Sequence, residues 1–311
     1  MLDMITNAFF KTKIAIRGIL YRLQYGFQLY SLRRSLNILT SEETIDKIIE
    51  HQCSVSRFGD GELDMITSLS IGYDESRKSN FQKYESSLAN RLQEILRIGY
   101  NPDLNLLVCI PYVWKNSSTL RSKPRFFVQR SFVNNQKKIR DEVAIDKTYG
   151  DSYFTRFYMD FKDKDKADYI KHIKKLWNNR SLCIVEGEQS RLGVGNSLFD
   201  NAAKIERILC PAINAYDKYN DILAEVCKIS KDKLVLLALG QTATVLAYDL
   251  AKCGYQAVDI GHIDVEYEWF LMGAKEKVAL PNKFVNEVED GRCFTSEMDT
   301  KYIKEIICRI S

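Results

Sequence analysis

Six consecutive apolar residues, Leu234 to Leu239, end abruptly at Gly240 and give way to Gln241-Thr242-Ala243-Thr244 and a helical pattern running to Cys253. A short apolar run closed by glycine and followed by a helix is the signature of a strand buried on both faces, the kind found in parallel sheets covered by helices. Gly254 stops that helix, and Gln256 to Ile260 begins the next strand-like run. The same grammar recurs upstream. Thr40 and Glu43 form a capping box for a helix through Ile45, Ile48 and Ile49, and a short strand, Cys53 to Val55, follows. Tyr84 to Leu96 reads as a helix and Leu104 to Tyr112 as a strand ended by Pro111. Ser181 to Val185 reads as a strand, and a helix capped by Asn196 is expected from about Ser197 to Ile208. The fold class expected is α/β: a Rossmann-like, mostly parallel sheet flanked by helices, carrying a basic helical N-terminal extension.

Three segments follow. Residues 1–39 form the extension, 40–280 the Rossmann-like domain, and 281–311 a C-terminal tail or packing helix. Within the domain, 121–180 reads as a helical insertion with 16 basic against eight acidic residues, interleaved with Tyr149, Tyr153, Phe154, Phe157, Tyr158 and Phe161. Between Lys11 and Thr40 there are six basic residues and no acidic one. That stretch suits peripheral contact with an anionic membrane surface through residues 9–39, or packing against the domain or a second subunit. A net charge of +4 is too mild to make nucleic acid a partner. The eight cysteines are scattered without a Cys-x-x-Cys pair, which fits a reducing cytoplasm, at the inner face of the membrane if the extension binds there.

Arg57-Phe58-Gly59-Asp60-Gly61-Glu62 sets two carboxylates two residues apart in a glycine-flanked turn after a strand. Asp60 and Glu62 offer hard oxygen ligands for Mg2+ or Mn2+, while Gly59 and Gly61 permit close backbone approach. Two further loops fall at strand ends. Around Glu186 to Asn196, Ser190 and Arg191 supply donors, and around Gly240 to Thr244 the amides at Gly240 and Gln241 with the hydroxyls of Thr242 and Thr244 do the same. Phosphate binding is their shared theme. Gly193-x-Gly195 resembles half of a dinucleotide fingerprint, but Leu198 stands where the third glycine belongs, which argues against a nicotinamide enzyme. Gly261 to Trp269 holds the densest set of titratable groups. If it is extended, Asp264, Glu266 and Glu268 share a face, one of them serves as general base, and His262 joins Asp60 and Glu62 at the metal.

Taken together, Phe58-Gly59-Asp60-Gly61-Glu62, Leu239 to Thr244 and Gly261 to Trp269 resemble the GT-D type glycosyltransferases, over about Thr40 to Ala274. The resemblance implies that the Asp-x-Glu motif, here Asp60 and Glu62, binds a metal together with a nucleotide diphosphate, assisted by Arg57. It implies a metal-dependent hexosyltransferase moving a glucose-like hexose from a UDP-sugar to a saccharide or glycoprotein glycan, with Glu266 or Glu268 as base, in polysaccharide assembly. Gln241 stands where many relatives are expected to carry proline. A nucleotide-sugar phosphohydrolase using the same diphosphate site, and a non-catalytic partner-binding subunit, are the competing readings.

Overall fold

The computed structural model describes residues 12, 16, 19, 20, 30–71, 81–285, 287, 288 and 299–311. Its centre is a ten-stranded sheet ordered β1-β5-β4-β2-β9-β8-β6-β7-β10. Those strands are β1 (Asn37–Ile38), β2 (Ser54–Arg57), β4 (Leu106–Ile110), β5 (Thr148–Asp151), β6 (Ser181–Gly187), β7 (Lys204–Cys210), β8 (Leu234–Ala238), β9 (Gln256–Asp259) and β10 (Ile306–Arg309). Every neighbouring pair along that order is parallel, and only the two-residue β3 (Tyr100–Asn101) runs antiparallel, against β4. All five residues of β4 are buried, as are Leu234 to Leu237 of β8, so apolar side chains project from both faces into two helix-covered cores. One core gathers Leu88, Leu92, Phe132 and Leu246; the other gathers Ile45, Phe154, Trp177 and Trp269. The α/β, mostly parallel architecture is therefore the one expected.

Local chemistry explains the helix starts that matter. Thr40 accepts a hydrogen bond from the Glu43 amide while the Glu43 carboxylate accepts one from the Thr40 amide, closing the expected box on α1 (Ser41–His51). Helix α2 (Asp60–Ile71) opens with Asp60 and Glu62 in its first turn, where carboxylates face the positive end of the helix dipole. Helix α3 (Ser86–Leu96) packs on α2, and helix α7 (Gln241–Lys252) springs from Gly240, whose φ of +55° places it in the left-handed region.

Four expectations are corrected. Residues 197–203 form turns rather than the start of a helix, and β7 then pairs with β6 over seven residues. The segment 121–180 does carry α4 (Ser122–Glu142) and α5 (Ala167–Ile173), but β5 lies between them and is wedged between β1 and β4, so the segment is built into the sheet. The C-terminal stretch supplies a short helix, α9 (Thr300–Glu305), and an edge strand, β10. Gly261 to Trp269 is not extended: Ile263–Leu271 is helix α8, which follows α6 (Tyr219–Val226) and α7 in chain order. Most of the N-terminal extension lies outside the described residues; residues 30–35 are helical, and Leu32 and Leu36 are buried in the core. Among the described residues no helix is long and apolar enough to cross a membrane.

Candidate active site

The chain leaves the carboxyl ends of β2, β4, β5, β6, β7, β8 and β9 into a single cleft of about 1810 Å³, lined by Gly59, Pro111, Ser152, Gly187, Pro211, Leu239 and Gly261, among others. In an open parallel sheet this edge is where ligands bind, at the point where strand order reverses. Here the reversal falls at β2 and β9, which pair through Val55 and Val258. The two strands end in Arg57 and Asp259. The Arg57 guanidinium reaches Asp259 Oδ1 at 3.5 Å and donates to the Ser152 carbonyl at 3.1 Å, tying three strand ends together. Gly261 has a φ of +44°, and a Cβ there would fall 1.7 Å from Arg57 Nη2, so only glycine lets the guanidinium lie across this turn. Burial pushes the Asp259 carboxyl up, and Arg57 opposes that rise.

Asp60 and Glu62 both line the cleft. Asp60 is exposed at the tip of α2. Glu62 turns back so that one oxygen accepts the Gly59 amide at 2.7 Å, capping its own helix. Burial raises Glu62 to about 7, with the Gly59 N–H pulling the other way. His262 also lines the cleft, with the Phe81 ring edge-on at 5.9 Å between centroids. Burial first, and the Arg156 guanidinium second, hold it down to about 3, so the imidazole is neutral near pH 7. Among the described residues no three His, Cys, Asp or Glu side chains are grouped to hold an ion, so the expected set of Asp60, Glu62 and His262 is not assembled. A cation here would rest on the Asp60 and Glu62 oxygens and take its remaining ligands from what it binds.

The second expected loop is committed to structure. Ser190 lines the cleft, but the Arg191 guanidinium lies 5.3 Å from the Tyr302 ring centre, turned to the C-terminal helix. The third loop is divided. Gly240 and Gln241 line the cleft, whereas Thr242 and Thr244 are fully buried, Thr242 donating to Gln82 Oε1 and Thr244 to the Arg57 carbonyl. These threonines fix the ends of α7 and β2 and are not phosphate donors.

The acids of α8 are corrected most sharply. Asp264 and Glu268 share a helical face, and Lys283 bridges them at 2.7 and 2.8 Å. Asp264 also accepts the Gly193 amide and the Asn196 side chain, so it pins the 187–197 loop even though it borders the cleft. Glu266 points the other way, 1% exposed, and accepts the amides of Tyr158 and Met159 at 2.8 Å each. Neither Glu266 nor Glu268 lines the cleft, so neither stands ready as a base.

Sequence reasoning missed several lining residues. Arg156 pairs with Glu287, 131 positions away, and Lys277 pairs with the same carboxylate. Burial works against ionising Glu287, yet Arg156, His262 and Lys277 outweigh it and hold the group well below the usual carboxylate range. Nothing local marks such a pair. Asp259 did leave a signal: it is a lone acid ending an apolar strand just before glycine.

The residues matching the glycosyltransferase GT-D fold model run from 55 to 288, which takes in every strand end that opens into the cleft. The chain belongs to the GT-D glycosyltransferase family. It is 38% identical over 270 residues to the glycosyltransferase GlyD of Streptococcus pneumoniae serotype 4, covering 86% of this chain and 32% of that protein. It is 37% identical over 281 residues to the probable glycosyl transferase Gly of Streptococcus gordonii, covering 89% and 39%. This GT-D chain thus spans about a third to two-fifths of those relatives. Solved structures agree. A domain described as having a distinct glycosyltransferase fold superposes with a TM-score of 0.83 at 38% identity, over 91% of this chain and 98% of that one. A glycosyltransferase domain from Streptococcus sanguinis gives 0.80 at 35% identity, over 89% and 100%.

Proposed function

We propose that this GT-D chain transfers a glucose-like hexose from a UDP-sugar to a hydroxyl of a saccharide or glycoprotein glycan, with Asp60 and Glu62 holding Mn2+ or Mg2+ beside the donor diphosphate. The observation that carries the reading is the convergence of two helix N-termini on one cleft wall. Asp60 and Gly61 of α2 and Gly240 and Gln241 of α7 all line it, and the positive ends of both helices suit the oxygens of a diphosphate. The metal, when bound, supplies positive charge against the leaving nucleotide.

The chain's own residues do the remaining work. Arg57, held by Ser152 and Asp259, sets the β2 turn that presents Asp60. Arg156 and Lys277 bring further positive charge to the cleft, tempered by Glu287. The start of α4 also lines the cleft, through Arg121, Lys123, Arg125 and Phe127, and the exposed Phe127 ring offers an apolar face of the kind sugars stack on. This stretch suits the acceptor. With Asp264, Glu266 and Glu268 committed elsewhere, a base for the acceptor hydroxyl is to be sought among the other carboxylates lining the cleft, such as Asp160 and Glu276.

The test is incubation with a panel of UDP-sugars and Mn2+, with and without glycan acceptors, following nucleotide release and the sugar product. Acceptor-dependent UDP release with a new glycoside is the expected outcome, lost in Asp60→Ala. Release of sugar phosphate without an acceptor would mark a phosphohydrolase instead, and failure of every nucleotide sugar to bind overturns the proposal.

A further inference from the structure

Far from the cleft, two exposed cysteines close the back ends of two helices. Cys227 is the C-terminal cap of α6 and Cys253 the C-terminal cap of α7, both reduced and both open to solvent. They are 26 positions apart in sequence, yet the two thiols lie close enough to act on each other. The contact is held from below. The Tyr255 hydroxyl, two residues past Cys253, donates to the carbonyls of Cys227 at 2.9 Å and Ile229 at 3.1 Å, which fixes the end of α6 against the β9 approach. Tyr255 itself is 5% exposed, so this clamp is part of the core. Lys231 completes the patch: its ammonium lies 5.4 Å from the Tyr255 ring centre and 3.6 Å from the position a Cβ would take at Gly254. Burial and the neighbouring Cys253 push the Cys227 thiol up, and Lys231 opposes that rise, so the thiolate that reacts is the smaller share of the pair's population near neutral pH.

We propose that Cys227 and Cys253 form a reversible disulfide, a redox modification site separate from the sugar-transfer cleft. The other described cysteines are placed differently. Cys53, Cys109, Cys183 and Cys210 are buried in the sheet, and Cys308 lies on β10. Only this pair combines exposure, mutual contact and a neighbouring cation among the described residues.

The oxidant is a peroxide. One thiolate attacks an oxygen of hydrogen peroxide, the O–O bond breaks, and a sulfenic acid forms with loss of hydroxide, which becomes water on protonation. The second sulfur attacks the sulfenic sulfur, the S–S bond forms, the S–O bond breaks, and a second water leaves. In balance, two thiols and one peroxide give one disulfide and two waters. A thiol reductant reverses the bond by exchange. The covalent link would enclose β8 and all of α7, whose far end, Gly240 and Gln241, floors the cleft.

The experiment uses the full chain, reduced, desalted and exposed to hydrogen peroxide, followed by intact-mass measurement and peptide mapping. The expected result is a mass lower by two hydrogen atoms, one peptide pair joining Cys227 to Cys253, reversal by dithiothreitol, and a thermal midpoint a few degrees above the reduced form, since a cross-link restricts the unfolded chain. Cys227→Ser and Cys253→Ser, each checked for an unchanged reduced-state midpoint, should each abolish the intramolecular bond. A bond that maps to other cysteines, a gain of oxygen without any bond, or no change in mass overturns the proposal.

Discussion

Gly61 and Gln241 meet at the floor of the cleft: a Cβ on Gly61 would lie 2.5 Å from Gln241 Nε2. The contact joins the first turn of α2 to the first turn of α7, the two helix ends proposed above to meet the diphosphate. Alanine at 61 would gain up to about 1 kcal/mol of helix propensity over glycine. Overpacking costs about 1–3 kcal/mol, and because Gln241 is only 4% exposed its amide has little room to swing aside. The clash should win. Gly61→Ala is expected to lower stability by about 1 kcal/mol and to weaken UDP-sugar binding, and adding Gln241→Ala should restore much of both. A denaturation series with nucleotide titration on the four proteins of that cycle checks this; strictly additive losses would show that the two positions are not coupled.

Gly261 is a harsher site. A side chain there meets the Arg57 guanidinium at 1.7 Å and must also adopt a φ of +44°. Strained backbone and displaced packing each cost about 1–3 kcal/mol. Gly261→Ala should therefore destabilise by about 2–6 kcal/mol by the sum of those ranges. It should also weaken nucleotide-sugar binding more than Gly61→Ala does, because Arg57 is pushed off Asp259. Urea unfolding and nucleotide affinity measured side by side give the answer, and a well-folded Gly261→Ala with native affinity would remove Arg57 from the site.

Glu62 makes a prediction about pH. Its carboxyl is raised to about 7 from an ordinary value near 4.5, chiefly by burial. A folded-state value above the unfolded one means that the folded chain holds an extra proton between roughly 4.5 and 7, so this group's cost to stability is absent in acid and fully present above about 7. Glu62→Gln keeps an acceptor for the Gly59 amide and removes that cost, so at pH 8 it should raise the unfolding free energy by about 1–3 kcal/mol, with no gain at pH 4. A cation that needs the ionised form should bind more weakly as pH drops through 7, up to about tenfold per pH unit. Manganese titrations between pH 5.5 and 8.5 test it; a flat profile would take Glu62 out of the ligand set.

How much of this could be seen in the chain alone depends on the range of the interaction. Buried strands such as Leu234–Ala238, and the glycine stops after them, are local events, and so the parallel sheet and its ligand edge were legible. Residues 204–210 were not. Lys204-Ile205-Glu206-Arg207 carries charges that suit a helix surface, and only the pairing of Arg207 with Glu186, 21 residues back, and Glu305, 98 residues on, makes it a central strand. Strand β5 was hidden in the same way inside a charged, aromatic stretch, because its partners β1 and β4 lie elsewhere. The site followed the same rule. Asp60 and Glu62 sit in one turn after β2, so their place beside the cleft is a local matter, while Arg156 and Glu287 come together only through the tertiary fold.

Glu266 shows why a dense acidic segment misleads, and its substitution separates structure from chemistry. On a strand, Asp264, Glu266 and Glu268 would face one way. On α8, Glu266 lies roughly opposite the other two and accepts two backbone amides at the 158–159 turn. Burial pushes its carboxyl up while Arg156 pulls it back, so the group serves as a hydrogen-bond acceptor deep in the protein. Removing it strands two buried N–H groups at about 1–3 kcal/mol each, partly repaid by no longer burying a carboxylate. Glu266→Ala should therefore lose about 2 kcal/mol of stability, and Glu266→Gln, which retains an acceptor, less than half of that. The turnover of the folded fraction should change by no more than a few fold in either variant. Loss of a general base would instead cost about 10²–10⁴ in turnover without loss of stability. Denaturant midpoints together with activity per folded molecule decide between the two, and a stable Glu266→Gln protein that is catalytically dead would return Glu266 to the reaction.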